Sequence, residues 1–191
     1  MTAVSDQRIG EYLEALRSTS AVPGGGSAAA LAGAMGAALV SMVAKLSAKK
    51  ARTEEDRQAL TELVPAIDAL SERLVALSQQ DIEAYRSVIE SRKGNLPADA
   101  LERAYERAAE VPLETAEAVQ ECIGLAADVS RRAWEMTASD LAVSSELLQT
   151  AMGGALANVA VNLPELKGEA AQRIEARYRR LRSTPDDRSR R

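Results

Sequence analysis

Residues 28–44 carry no charge and are built from Ala and Gly with a few medium-sized aliphatics, and no other segment restricts the fold as strongly. The run is too long for a strand and rich in the best helix former, so it predicts a helix. Ala29, Gly33 and Ala37 recur every fourth residue and lay a smooth ridge along it, which lets a second helix approach closely in a bundle. A second uncharged run, 147–163, carries Gly153-Gly154 and reads the same way. Both runs approach the length of a membrane span, but they are built from Ala, Gly, Ser, Thr and Asn more than from large aliphatics, and neither has an aromatic belt. The expectation is therefore a packed bundle and no membrane.

Elsewhere Ala, Leu, Glu, Arg and Gln dominate and no strand-like alternation persists, so the fold class expected is all-α, a multi-helix bundle. Helices are placed at 5–18, 27–50, 53–92, 97–129, 139–163 and 165–181. Thr53 to Asp56 has the form of a capping box, and Gly94-Asn95 before Pro97 marks a stop and a restart. Pro65 and Pro112 fall inside helical patterns, where each is expected to kink or break the helix. One domain over 1–182 is expected, with a polar, disordered tail at 183–191.

With a net charge of −4, 3% aromatic residues and no Phe, the chain offers neither a basic field nor stacking platforms for nucleic acid. The single cysteine, Cys122, reads as a small core residue, and Asp6, Arg8 and Glu11 interrupt any apolar leader. A cytoplasmic location is the expectation. The absence of histidine removes His-based triads and most zinc sites. Acid/base chemistry is left to carboxylates, Lys, Tyr or water.

Immediately before the uncharged helix stands Pro23-Gly24-Gly25-Gly26-Ser27. Glycines there permit positive φ or a close approach of the backbone to another surface, and Ser27 suits the cap of the helix. The first turn would present free N–H groups to an anion or an electron-rich ring. On the long third helix the apolar stripe Leu60, Leu63, Ile67, Leu70, Leu74, Leu77 continues into Asp81 and then Val88. Asp81 occupies a slot due to an aliphatic. It is either a carboxyl of raised pKa for acid/base work or a buried Asp satisfied by an Arg or a helix terminus.

Other polar residues keep two readings. Thr137 or Ser139 can cap the fifth helix with Asp140 near its positive end, or Ser139-Asp140 can serve a site. Asn158 and Asn162, four apart on one face, either hydrogen-bond a heterocycle or bridge two helices. Lys45, Lys49, Lys50 and Arg52 complement the carboxyl end of the second helix or receive an anionic tail. Tyr85, one turn beyond Asp81, stacks on a ring or packs. No metal-ligand spacing is present, and the glycine run lacks the Gly-Lys-Ser/Thr of a phosphate-cradling loop.

In order along the chain, the segments 20–27, Asp81-Ile82-Glu83-Ala84-Tyr85, Val111-Pro112-Leu113, Ser139-Asp140-Leu141 and 154–163 resemble the cyclodeaminase domain of formiminotransferase-cyclodeaminase and the methenyltetrahydrofolate cyclohydrolases that share its fold. The resemblance implies an all-α bundle, commonly a homodimer, that binds a tetrahydrofolate derivative beside the glycine loop. It implies a reduced folate as substrate, without a separate cofactor or metal. Asp81, with Asp140 second, would move protons. Pro23, Gly24, Gly25, Gly26, Ser27, Tyr85, Ser139, Asn158, Asn162 and Lys50 would hold the substrate. A helical folate-binding or scaffold protein that kept the fold without chemistry is the alternative. After the second helix, Ser47-Ala48-Lys49-Lys50-Ala51 departs from the family's usual turn by lacking its Gly.

Overall fold

The computed structural model describes residues 2–94 and 98–183. Among these residues the chain is helical without strands, and the helices are α1 (Ile9–Arg17), α2 (Gly25–Lys50), α3 (Glu54–Lys93), α4 (Ala98–Ser130), α5 (Ala138–Asn162) and α6 (Gly168–Ser183). The all-α expectation holds. Ser183, placed in the expected tail, instead ends α6; the rest of that tail, 184–191, lies outside the described residues.

α2 is the hub, packed along α3 and α5 with α4 behind it. Its small residues explain the packing. A methyl group on Gly33 would meet Val119 at 3.0 Å and Ala151 at 3.3 Å, and one on Gly36 would meet Leu148 at 2.9 Å. Gly154 faces Ala29 in the same way, with only 2.9 Å available, whereas Gly153 faces open space. The ridge expected along Ala29, Gly33 and Ala37 is therefore a true contact line, and of the Gly153-Gly154 pair only Gly154 extends it. These contacts also fix direction. Gly33 meets Ala151 and Gly36 meets Leu148, so α5 runs antiparallel to α2. Ser71 reaches the carbonyl of Ala34 while Ser78 reaches Ser27, so α3 runs antiparallel as well.

Leu60, Ile67, Leu70, Leu74 and Leu77 of α3 are buried, as their spacing requires. Truncating a fully buried leucine such as Leu74 to Ala would cost about 2–5 kcal/mol. Neither Pro65 nor Pro112 breaks its helix, which removes one of the two expected outcomes. Each removes one backbone hydrogen bond, but closely following residues are fully buried, Ile67 in α3 and Leu113 in α4, and packing holds the helices continuous. Among the described residues one helix, α2, is long and apolar enough to cross a membrane, and most of its apolar window is buried inside the bundle.

The ends of the chain are fastened differently. The 5–18 helix is in fact a 3-10 turn, Val4–Asp6, followed by α1, because the Glu11 carboxylate takes the Arg8 N–H and starts the helix at Ile9. Tyr12 is the buried residue of α1, and Val4 N–H donates to Gln79 Oε1 at 3.1 Å. At the other end, Leu163–Glu165 closes a 3-10 turn and Gly168 takes φ +60°, which delays α6 beyond its expected start. α6 is held by Arg177, which clasps Glu117 at 2.7 and 2.9 Å and also reaches Glu110, and by Arg173, 2.7 Å from Glu106. Burial opposes the charge on Glu110, yet the two arginines hold its carboxyl below the usual range.

Candidate active site at the amino end of α2

α2 starts without a side-chain cap of its own. Gly24, in extended conformation, is the cap residue, so Ser27 is not the cap that its position suggested. Asp81 supplies what is missing, because its carboxylate accepts the backbone N–H of Ser27 from across the α2–α3 contact. This arrangement depends on Gly26. A Cβ there would stand 2.1 Å from Asp81 Oδ1 and 2.6 Å from its carboxyl carbon. Close approach, not a left-handed backbone, is what glycine provides here, since among described glycines only Gly168 has positive φ.

Asp81 is partly buried, and burial pushes its carboxyl up to about 6, with the Ser27 N–H pulling the other way. Asp81 is thus met by a helix terminus, as the second reading had it, and also carries the raised pKa that the first one requires. A carboxyl in this range is able to give or take a proton under ordinary conditions.

The Ser27 hydroxyl turns inward. It lies 2.8 Å from the Tyr12 hydroxyl and 2.7 Å from Ser78 Oγ, a buried chain of three hydroxyls behind the amide that Asp81 accepts. Burial raises the Tyr12 phenol, its two serine neighbours lower it, and the Asp81 charge raises it further. Tyr12 is therefore a neutral hydroxyl near neutral pH. Neither Tyr12 nor Ser78 was expected from sequence. The available signal was Ser78 standing one turn before Asp81 on the same apolar stripe.

The outer wall comes from α5. Gly25 is exposed, and a Cβ on it would lie 3.5 Å from Asn158 Nδ2. Asn158 donates to Gly154 O at 2.8 Å, while Asn162 donates to Ala108 O at 3.0 Å and so bridges α5 to α4. Of the two readings for this pair, Asn162 shows the helix-bridging one and Asn158 stands at the glycine loop. Tyr85 is 45% exposed and does not pack into the core. Pro23 is buried behind the loop.

Lys50, Ser139 and Asp140 are elsewhere. Lys50 ends α2, with its ammonium 5.4 Å from the centre of the Trp134 ring, and Trp134 N–H donates to Ser47 Oγ at 2.9 Å. Asp140 lies in the first turn of α5 at this same end, and Ser139 is exposed beside it. Thr137 is the cap residue of α5 but makes no side-chain cap; its hydroxyl donates back to Trp134 O at 2.6 Å. At about 1.5 Å per residue, α2 separates the two ends by roughly 37 Å. Within one chain, Asp81 and Asn158 stand at the glycine loop, whereas Lys50, Ser139 and Asp140 stand at the far end of α2.

The family model described as formiminotransferase-cyclodeaminase matches residues 8–180. The chain belongs to that family. Among family members it is 30% identical over 169 residues to the formimidoyltransferase-cyclodeaminase of Mus musculus, covering 84% of this chain and 31% of that protein. It is 31% identical over 175 residues to the methenyltetrahydrofolate cyclohydrolase of Methylorubrum extorquens, covering 86% of this chain and 83% of that one. The chain thus spans about a third of the formimidoyltransferase-cyclodeaminases it matches and most of the cyclohydrolase. The crystal structure of the formiminotetrahydrofolate cyclodeaminase of Thermotoga maritima superposes with a TM-score of 0.83 at 24% identity, covering 94% of this chain and 96% of that one. That likeness shows the cyclodeaminase-type bundle.

Proposed function

We propose that this chain is a folate one-carbon enzyme in which Asp81 is the acid/base. The observation that carries the reading is the Asp81 carboxyl, raised to about 6 and seated on Gly26 at an exposed glycine loop, in a chain of this family. Two reactions share the same tetrahedral carbon. In the cyclohydrolase direction, water adds to the methenyl carbon of 5,10-methenyltetrahydrofolate while the Asp81 carboxylate takes its proton. The C–N5 bond then breaks as the carbinol hydroxyl gives its proton to solvent and forms the formyl C=O, Asp81 passes its proton to N5, and 10-formyltetrahydrofolate leaves. In the cyclodeaminase reaction, N10 of 5-formiminotetrahydrofolate attacks the formimino carbon, and the protonated Asp81 supplies a proton to the departing ammonia.

The remaining roles follow from position. The N–H groups at the start of α2 and the Asn158 amide face the space over Gly25, where a pterin edge would find donors, and the open ring of Tyr85 offers a stacking surface. The reduced folate is the substrate, no separate cofactor or metal is invoked, and a cytoplasmic homodimer without nucleic-acid partners is the working form proposed. The test is direct: purified protein should change the methenyl absorbance with 5,10-methenyl- or 5-formiminotetrahydrofolate, and Asp81→Asn should abolish the change while a stable folate analogue still binds. Folded protein that binds the analogue and turns over neither substrate would instead be a binding protein.

A further inference from the structure

The geometry points to Arg92 as the residue that selects the far end of the substrate: its guanidinium receives a carboxylate of the glutamate tail, and the aminobenzoyl ring crosses Tyr85 on the way. This subsite presupposes the folate reading above, since its ligand is the anionic end of that molecule.

α2 begins at Gly25, but the two helices packed along it run on beyond that point. α3 passes Gly26 at Asp81 and continues to Lys93, and α5 passes Gly25 at Asn158 and continues through Asn162 into the turn Leu163–Glu165. α4 closes the side between them, because Ala108 O accepts Asn162 Nδ2 at 3.0 Å and the Tyr105 ring lies against Arg92. The chain ahead of α2 turns off another way. Val22 packs with Val4, Tyr12 and Ile82, and Ile82 stands about 100° around α3 from Asp81. The three overhanging helices thus frame a cleft that starts at the exposed Gly25.

α3 presents one stripe along that cleft. At about 100° per residue, Asp81, Tyr85 and Arg92 fall within about 40° of one another. The stripe reads carboxylate, exposed aromatic ring, cation. A reduced folate with its reacting carbon at Asp81 has the matching order: one-carbon centre, aminobenzoyl ring, glutamate. The rise from Asp81 to Arg92 is roughly 16 Å, and a long side chain leans back toward the amino end of its helix. An extended aminobenzoylglutamate spans a gap of that order.

Arg92 is set up to receive a carboxylate. Its guanidinium lies 5.3 Å from the centre of the Tyr105 ring and donates to the Tyr105 hydroxyl, and Tyr105 is itself buried. The side chain is still 60% exposed. Glu165 stands 3.9 Å away, within ion-pair range but outside hydrogen-bonding range, which leaves donors of the planar fork for an incoming carboxylate. Complementing the carboxyl end of α3 requires only charge, whereas a ring and a hydroxyl that fix the guanidinium plane suit bidentate recognition.

Steady-state kinetics on 5,10-methenyl- or 5-formiminotetrahydrofolate, and on the matching tetrahydropteroate that lacks the glutamate, test this. Removing the glutamate should raise the KM of the wild type by about 10-fold with kcat held, the range for a charge-assisted contact to an exposed arginine. Arg92→Ala should raise KM for the folate by a similar factor, and the two losses should not add. Arg92→Lys, which keeps the charge without the fork, should fall between, and Glu165→Gln, which removes a competing carboxylate, should lower KM for the folate. Equal losses on both substrates in Arg92→Ala, as a merely structural role would give, or a wild type indifferent to the glutamate, would overturn the assignment. If the wild type turns over neither one-carbon substrate, calorimetric titration with folic acid and pteroic acid decides. A preference for folic acid that Arg92→Ala removes would keep the subsite and remove the catalytic reading; no preference would remove the subsite as well.

Discussion

The two ends of α2 are built on opposite principles. At the amino end a side chain has been taken away: Gly26 leaves room for a carboxylate from α3 to lie against bare backbone, with buried hydroxyls behind it. At the carboxyl end side chains are long and outward: Lys45 pairs with Asp68 at 2.9 Å, and Lys50 lies over Trp134. The first end fixes one group by exclusion and thereby shifts its proton affinity. The second offers charge with reach. On the proposed function, position-critical chemistry belongs to the former, and substitutions at the amino end should therefore cost far more.

The largest effect is expected at Asp81 itself. Asp81→Asn should lower kcat/KM by about 10²–10⁴-fold, the usual contribution of a positioned acid/base. The same variant should be more stable. The folded pKa of about 6 lies above the ordinary value of 3.8, so the folded state holds a proton that the unfolded chain releases between these values. Stability from this group is full below 3.8 and is lost as pH rises through 6; at pH 7.5 the loss is at most about 3 kcal/mol. Thermal melts should show Asp81→Asn gaining several degrees at pH 7.5 and nothing at pH 3.5. Equal gains at both would show that the carboxyl is not under strain from burial.

Next comes the glycine pair. Gly26→Ala must displace the carboxylate and should cost about 100-fold in activity, while Gly25→Ala, with ordinary contact to Asn158, should stay within a few-fold. Similar losses at both would mean that the loop works by flexibility instead of by exclusion. The pH profile is a smaller but more discriminating effect. A limb in kcat/KM near pH 6 that rises with pH marks Asp81 as a base toward water, and one that falls marks an acid toward ammonia. Smallest of all, Tyr12→Phe should cost about 0.5–1.5 kcal/mol of stability and move that limb by a few tenths of a pH unit, read by melts and by the profile.

Much of this fold was visible in the residues. The spacing of Ala29, Gly33 and Ala37 declared a close helix contact, and Asp81 declared itself by interrupting a leucine stripe. What Asp81 touches was not visible, because Gly26 stands 55 positions away and nothing local encodes that approach. Lys50 and Asp140 were grouped with it because motifs carry order along the chain but not the direction of helices in space. Antiparallel packing sent them to the other end. Tyr12 and Ser78 escaped because single hydroxyls are common on helices and become informative only when three of them line up. The prolines do not break their helices for a related reason: local backbone rules are outweighed by buried neighbours on the same helix.

Gly26 has a consequence in the space of possible sequences. Every other amino acid adds at least a Cβ, and the space it would fill already holds a carboxyl group. Most positions offer a graded series of replacements along which a protein drifts; this one has no nearest neighbour. On the proposed chemistry, every first step away from glycine at position 26 displaces the Asp81 carboxylate.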